Sequence, residues 1–97
     1  MKRKEPVYPT PHPDIAARVF DGEAIIVMPV AGEVLVLNGV GTRVWELIDG
    51  KRSDGEIVTA IIAEYEATET QVIQDVATFL SLLEMRGAIT LRREVDR

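Results

Sequence analysis

Few side chains in this sequence are equipped for chemistry. It has no cysteine, which excludes thiol nucleophiles, thiolate metal sites and disulfides. The single histidine, His12, stands between Pro11 and Pro13 and reads as an exposed turn residue rather than a ligand or a general base. No H-E-x-x-H, P-loop or G-x-G-x-x-G pattern occurs. The run "NGVGTR", Asn38 to Arg43, puts two glycines before a helix body, which is the form of a phosphate site at a helix N-terminus. Its spacing is wrong for a P-loop and no lysine follows. The better reading is that Gly39 and Gly41 let the chain turn from strand to helix and pack closely. Glu64, Glu66 and Glu69 gather around one loop and read as a solvated face. No pair of carboxylates has the opposed environments that acid–base catalysis needs. These residues assign no catalytic group, no metal ligand and no cofactor, and they point to a binding protein rather than an enzyme.

The elements that would position a binding surface come next. A chain of 97 residues with 46% hydrophobic content supports one domain with a modest, mostly aliphatic core. Its apolar runs fall well short of the roughly 20 residues that span a bilayer. The basic start "MKRKEPVYPTPHPD" is not followed by an apolar segment, so a soluble cytoplasmic protein is expected, with no membrane partner. The net charge is −5, and the basic residues Lys2, Arg3, Lys4, Arg92, Arg93 and Arg97 lie at the ends. That distribution argues against a nucleic-acid face.

Residues 1–14, with Pro6, Pro9, Pro11 and Pro13, read as an extended, weakly structured arm. Residues 15–91 read as the folded domain and 92–97 as a tail. Three β-prone runs open the domain: Ile15–Phe20, Glu23–Pro29 and Glu33–Leu37. Asp21-Gly22 predicts a type I′ hairpin between the first two, and "VAGE" a turn before the third. Pro29 ends the second run, since proline cannot donate to a ladder. Short connections predict an antiparallel meander in sequence order, with the third strand at an edge.

From Asn38 the apolar period becomes helical. Val40, Val44, Leu47 and Ile48, beside Trp45, mark a first helix capped by Asn38 and stopped at Asp49-Gly50. Ser53 and Glu56 predict a capping box for the second helix, with a stripe of Ile57, Ile61 and Tyr65 flanked by Val58 and Ile62. Thr68 and Gln71 repeat that logic for a third helix reaching about Arg86, with Gly87 beyond it. "AITLRR" then forms a short strand or a frayed tail. The expected fold is α+β and winged-helix-like, a three-stranded antiparallel sheet followed by a three-helix bundle (β-β-β-α-α-α).

Two surfaces in that fold suggest binding. The third strand is an edge, and its centre, Val34-Leu35-Val36-Leu37, lacks the lysine, proline or bulge that usually blunts one. The other edge carries Arg18 and follows the proline-rich arm. On the third helix, the stripe Val72, Ile73, Val76, Phe79, Leu80 and Leu83 spans about 340° through 0° to 100°, with Val72 at zero. Leu82 and Met85 fall outside it, near about 280° and 220°, on a side shared with Asp75, Thr78 and Arg86. Apolar residues ringed by polar ones there would line a shallow groove, and Met suits a surface that accepts varied apolar side chains.

With these residues, the chain resembles the PqqD family, which includes the pyrroloquinoline quinone biosynthesis chaperone and the related recognition elements for ribosomally made, modified peptides (RiPPs). The resemblance rests on "HPDI" at 12–15, "DGEAIIV" at 21–27, "VLVLNGVGTRVWELIDGKRSDGEIV" at 34–58 and "DVATFLSLLEMRGAI" at 75–89. Its most specific part is Leu37, Asn38, Val40, Gly41, Trp45, Glu46, Leu47, Asp49 and Gly50. The resemblance implies three antiparallel strands and three helices. It implies a non-catalytic protein that binds the leader of a precursor peptide and presents it to a modifying enzyme, either a radical SAM enzyme or a peptidase and cyclase pair. The leader would add as a strand beside the third strand, against the third helix. Carried onto this chain, that names Val34, Leu35, Val36 and Leu37 on the strand and Asp75, Thr78, Phe79, Leu82 and Met85 on the helix. "LNGVGTRVWELIDG" is closer to the broad PqqD-like group than to the strict quinone chaperone, which leaves open the pathway, lasso peptide clusters included.

Two other classes stay in view. A winged-helix DNA binder needs a basic recognition helix, but the third helix sets Glu69, Asp75 and Glu84 against Arg86 alone. A self-associating module would pair the third strand between copies, giving a homodimer.

Overall fold

The computed structural model describes residues 5–28 and 32–93. Five strands and three helices follow in the order β1 (Val7–Pro11), β2 (Ala16–Phe20), β3 (Glu23–Met28), β4 (Glu33–Leu37), α1 (Gly39–Leu47), α2 (Asp54–Tyr65), α3 (Glu69–Met85) and β5 (Ile89–Arg93). Strands β2, β3 and β4 form an antiparallel meander in sequence order, as their short connections require. Asp21 and Gly22 both adopt positive φ, 57° and 79°, which is the type I′ geometry that an Asp-Gly pair favours. The breaks expected at Pro29 and over Val30–Ala31 lie outside the described residues, as do residues 1–4 and 94–97. Gly32, just beyond, takes φ +68° and donates to Met28 O at 2.8 Å.

The first and last strands form a second, two-stranded sheet, with Pro9 opposite Leu91. The weakly structured arm expected here is a paired strand over Val7–Pro11. Alternate prolines do hold the backbone extended, but the partner is about eighty residues away in sequence, so no local pattern announces the pairing. His12 closes the turn after β1, its Nδ1 accepting from Asp14 N at 3.0 Å.

Strand alternation decides which faces are covered. Ala24, Ile26 and Met28 of β3 are at most 2% exposed and face the helices with Leu37 and the half-buried Leu35 of β4. The opposite face, including Ile25, Val27, Val34 and Val36, is uncovered. Val34 and Val36 are 61% and 59% exposed. Helix α2 lies against both α1 and α3, α1 packs on β3 and β4, and α3 on β5.

Capping follows the sequence in two helices and departs from it in the third. Asn38 Oδ1 accepts from Gly41 N at 3.1 Å. Ser53 and Glu56 form the reciprocal capping box of α2. Thr68 makes no side-chain cap bond, and the Gln71 side chain that would complete the box donates its amide to Asp75 Oδ1 at 2.9 Å, one helical turn on. Gly87 takes φ +80° just past α3, the left-handed position glycine favours. Along α3, Val72, Val76, Leu80 and Leu83 are buried, whereas Ile73 is 47% exposed and Phe79 half-buried. Ile73 and Phe79 are the two borders of the apolar arc, at about 100° and 340°, so they leave the core first. Among the described residues no helix is long and apolar enough to cross a membrane.

Candidate peptide-binding site

Three devices fix the end of β4. The Asn38 cap starts α1 immediately after the strand. The buried Thr42 hydroxyl donates to Leu37 O at 3.1 Å and accepts from Ala24 N at 2.8 Å, tying β4, β3 and α1 together. Gly41 lies over Leu37, and a Cβ built there would meet Leu37 Cβ at 3.5 Å and Phe79 Cζ at 3.7 Å. Neither Gly39 nor Gly41 takes positive φ, and Gly39 has open space around it. Glycine is therefore not needed here to turn the chain. Its effect at 41 is to leave empty the space that a longer side chain would fill.

That space is a cleft of about 430 Å³. Val36 and Leu37 line its β4 side, Val40 and Val44 its α1 side, and Ile61 and Tyr65 the end of α2. From α3 come Val72, Asp75, Val76 and Phe79. Tyr65 and Val40, placed in the core stripes by periodicity, are 43% and 45% exposed because they line this opening. The walls are overwhelmingly apolar. The Gly41 amide is taken by Asn38, and the charged group present is the Asp75 carboxylate, so phosphate is a poor fit.

The strand and helix residues named from the sequence divide among four places. Val36, Leu37, Asp75 and Phe79 meet in the cleft. Thr78, Leu82 and Met85 lie with Ala77 and Ser81 on a shallow depression along the outer side of α3, Met85 being 83% exposed. Leu35 points inward toward the core, and Val34 outward from the uncovered sheet face. Among the described residues nothing pairs with the far edge of β4.

Apart from Asp75, the charges hold the frame rather than line the cleft. Arg43 of α1 donates from Nε and Nη2 to the two carboxylate oxygens of Glu64 on α2, at 2.8 and 3.0 Å, and reaches Glu46 at 3.3 Å. These bonds hold the Glu64 carboxyl below the usual carboxylate range and raise the Arg43 guanidinium. Glu64 is thus a paired residue, not simply part of a solvated face. Asp49 is likewise lowered, first by the backbone N–H of Arg52 and then by that of Lys51. At the far end of β4, Glu33 Oε1 meets Arg86 Nη1 of α3 at 3.4 Å.

Sequence reasoning missed Thr42, Tyr65, and Glu33 with Arg86 as parts of this site. Thr42 signals itself only as a lone threonine within an apolar helix, and the ion pair joins residues 53 positions apart.

The profile of the family described as "Coenzyme PQQ synthesis protein D (PqqD)" matches residues 23–89. No curated protein matches the chain. Among solved structures, the chain is similar to TbiB1 in complex with the TbiA(beta) leader peptide. That match has 28% identity and a TM-score of 0.78, covering 82% of this chain and 93% of that one. It is also similar to a lasso peptide synthetase B1 complexed with the leader peptide, at 19% identity and TM-score 0.76, over 86% of this chain and 98% of that one. At that lower identity the second match speaks for the fold alone.

Proposed function

The chain belongs to the PqqD family, and from that premise we propose that it is a recognition element for a precursor peptide. The leader segment docks as an added strand on the open edge of β4, against α3, and the protein performs no chemistry on it. The observation that carries this reading is the apolar cleft that opens beside an unpaired strand edge. Main-chain hydrogen bonds to β4 would hold the guest with little regard to sequence. Alternate guest side chains facing the helix would reach the cleft, where an apolar anchor buries against Leu37, Val76 and Phe79. An ordered peptide loses conformational freedom on docking, so affinity rests on a few such anchors. Holding the leader raises the concentration of the attached core peptide near a modifying enzyme. The solved complex of TbiB1 with a leader peptide, similar to this chain at 28% identity, supports this reading.

The test is a random 15-residue peptide library displayed on phage and selected on the full chain. Enriched peptides are then titrated by fluorescence anisotropy. They are expected to bind the native protein and to lose about tenfold or more in affinity with Phe79→Ala or with Val40→Asp at the cleft wall, about 1.4 kcal/mol or more. Circular dichroism should show the fold retained. Failure to enrich any peptide, or binding indifferent to both substitutions, contradicts the proposal.

A further inference from the structure

The trough between β4 and α3 has two unlike ends. At one, Phe79 lies by Leu37 in the apolar cleft. At the other, Arg86 at the end of α3 reaches across to Glu33 at the start of β4. Helix and strand therefore run past each other in opposite directions. Phe79 to Arg86 is about 10 Å of helix at 1.5 Å per residue. Leu37 to Glu33 is about 13 Å of strand. On a helical wheel Phe79, Asp75 and Arg86 fall within about 40° of one another, so all three look toward β4.

A guest strand on β4 shares its rise, and its side chains on the helix side recur every second residue. A guest residue in the cleft thus puts another, four positions along, at the Glu33–Arg86 end. We infer that this end is a charge-reading subsite, selecting a peptide with a lysine or arginine four positions from its apolar anchor. The inference rests on the peptide-binding reading above. The sign follows from the charges that face the trough. At this end Glu33 presents a carboxylate of which one oxygen meets Arg86, and the further carboxylate of Asp75 lies at the cleft end, about 16 Å back along the helix. The subsite also lies at the C-terminal end of α3, where the helix dipole favours cations. The whole chain adds a net charge of −5. Glu33 meets Arg86 through one oxygen at 3.4 Å, and both side chains are over 40% exposed, so a guest cation can share the carboxylate. The spacing makes this end a determinant of register as well, since it fixes which apolar residue enters the cleft.

The same random display library, selected on the native chain, on Glu33→Gln and on Arg86→Gln, reads this out by sequencing. The native chain is expected to enrich Lys or Arg four positions from an apolar residue by about two- to fivefold over the input, the scale of an exposed ion pair. Glu33→Gln should erase that bias while still enriching apolar anchors, and Arg86→Gln should strengthen it. Enriched peptides with Asp or Glu at that position, or with no charge bias, overturn the subsite and leave the peptide-binding reading standing. No enrichment on any of the three proteins overturns both. Circular dichroism of each variant confirms that the fold is intact.

Discussion

The two small sheets are built to opposite ends. In the β1–β5 pair, loops and side chains close the backbone. Gly50 N donates to Pro9 O at 2.9 Å, His12 N to Ala88 O at 2.9 Å, and Val7 N to Asp54 Oδ1 at 3.4 Å. Arg92 lies 4.9 Å over the Tyr8 ring and donates to Gly50 O at 2.7 Å. Proline at 9 and 11 removes donors that a foreign strand would need. Strand β4 has none of this protection. Beyond Glu33 its side chains are apolar, its far edge is unpaired among the described residues, and a cleft opens at its end. Strands of equal length are thus closed off in one sheet and left open in the other, and the difference lies in what surrounds each edge.

Substitutions that break this contrast should differ most in stability. Ile89 of β5 is 2% exposed, so Ile89→Ala should cost about 2–5 kcal/mol in urea unfolding. Val36→Ala, at a half-open position of β4, should fall within about 0.5 kcal/mol of the native protein. Equal losses at the two strands would erase the distinction. Thr42→Val removes the hydroxyl bridging Ala24 N and Leu37 O, leaving both buried groups unpaired. It should cost about 1–3 kcal/mol, with hydrogen exchange accelerated at the end of β4 and unchanged in β1. Gly41→Leu should leave thermal stability nearly unchanged and cut peptide affinity about tenfold, by filling the cleft against Phe79. Full affinity in that variant would move the anchor elsewhere.

The smallest effect concerns acid. Arg43 depresses the folded-state pKa of Glu64, so their contribution is present above the unfolded carboxylate pKa. It is lost as pH falls through the depressed value. In Arg43→Gln the Glu64 carboxyl should titrate back in the ordinary carboxylate range by NMR, and the tie between α1 and α2 should no longer weaken on acidification. Titration unchanged from the native protein would show that the pair does not form in solution.

How far the sequence reveals this molecule depends on the distance over which each signal acts. The Asp21-Gly22 hairpin, the Asn38 cap and the Ser53–Glu56 box are local, and all three form as their residues suggest. The third meander strand keeps its expected bounds, Glu33–Leu37. The β1–β5 pairing is hidden because its halves lie at opposite ends of the chain and proline masks the strand pattern of one. The Thr68 box does not form: Thr68 makes no side-chain cap bond, and the Gln71 amide is turned to Asp75. In the site, Phe79 is ambiguous by sequence since a border residue serves both core and cleft. Thr42 and the Glu33–Arg86 pair act only through contacts that folding creates.

The central claim is that the open edge of β4 accepts a guest strand. Hydrogen–deuterium exchange with and without a peptide selected on the full chain tests it most directly. The account predicts slowed exchange of β4 amides on binding, with those of β1 and β5 unchanged. Binding that leaves β4 exchange as fast as in the free protein would contradict it.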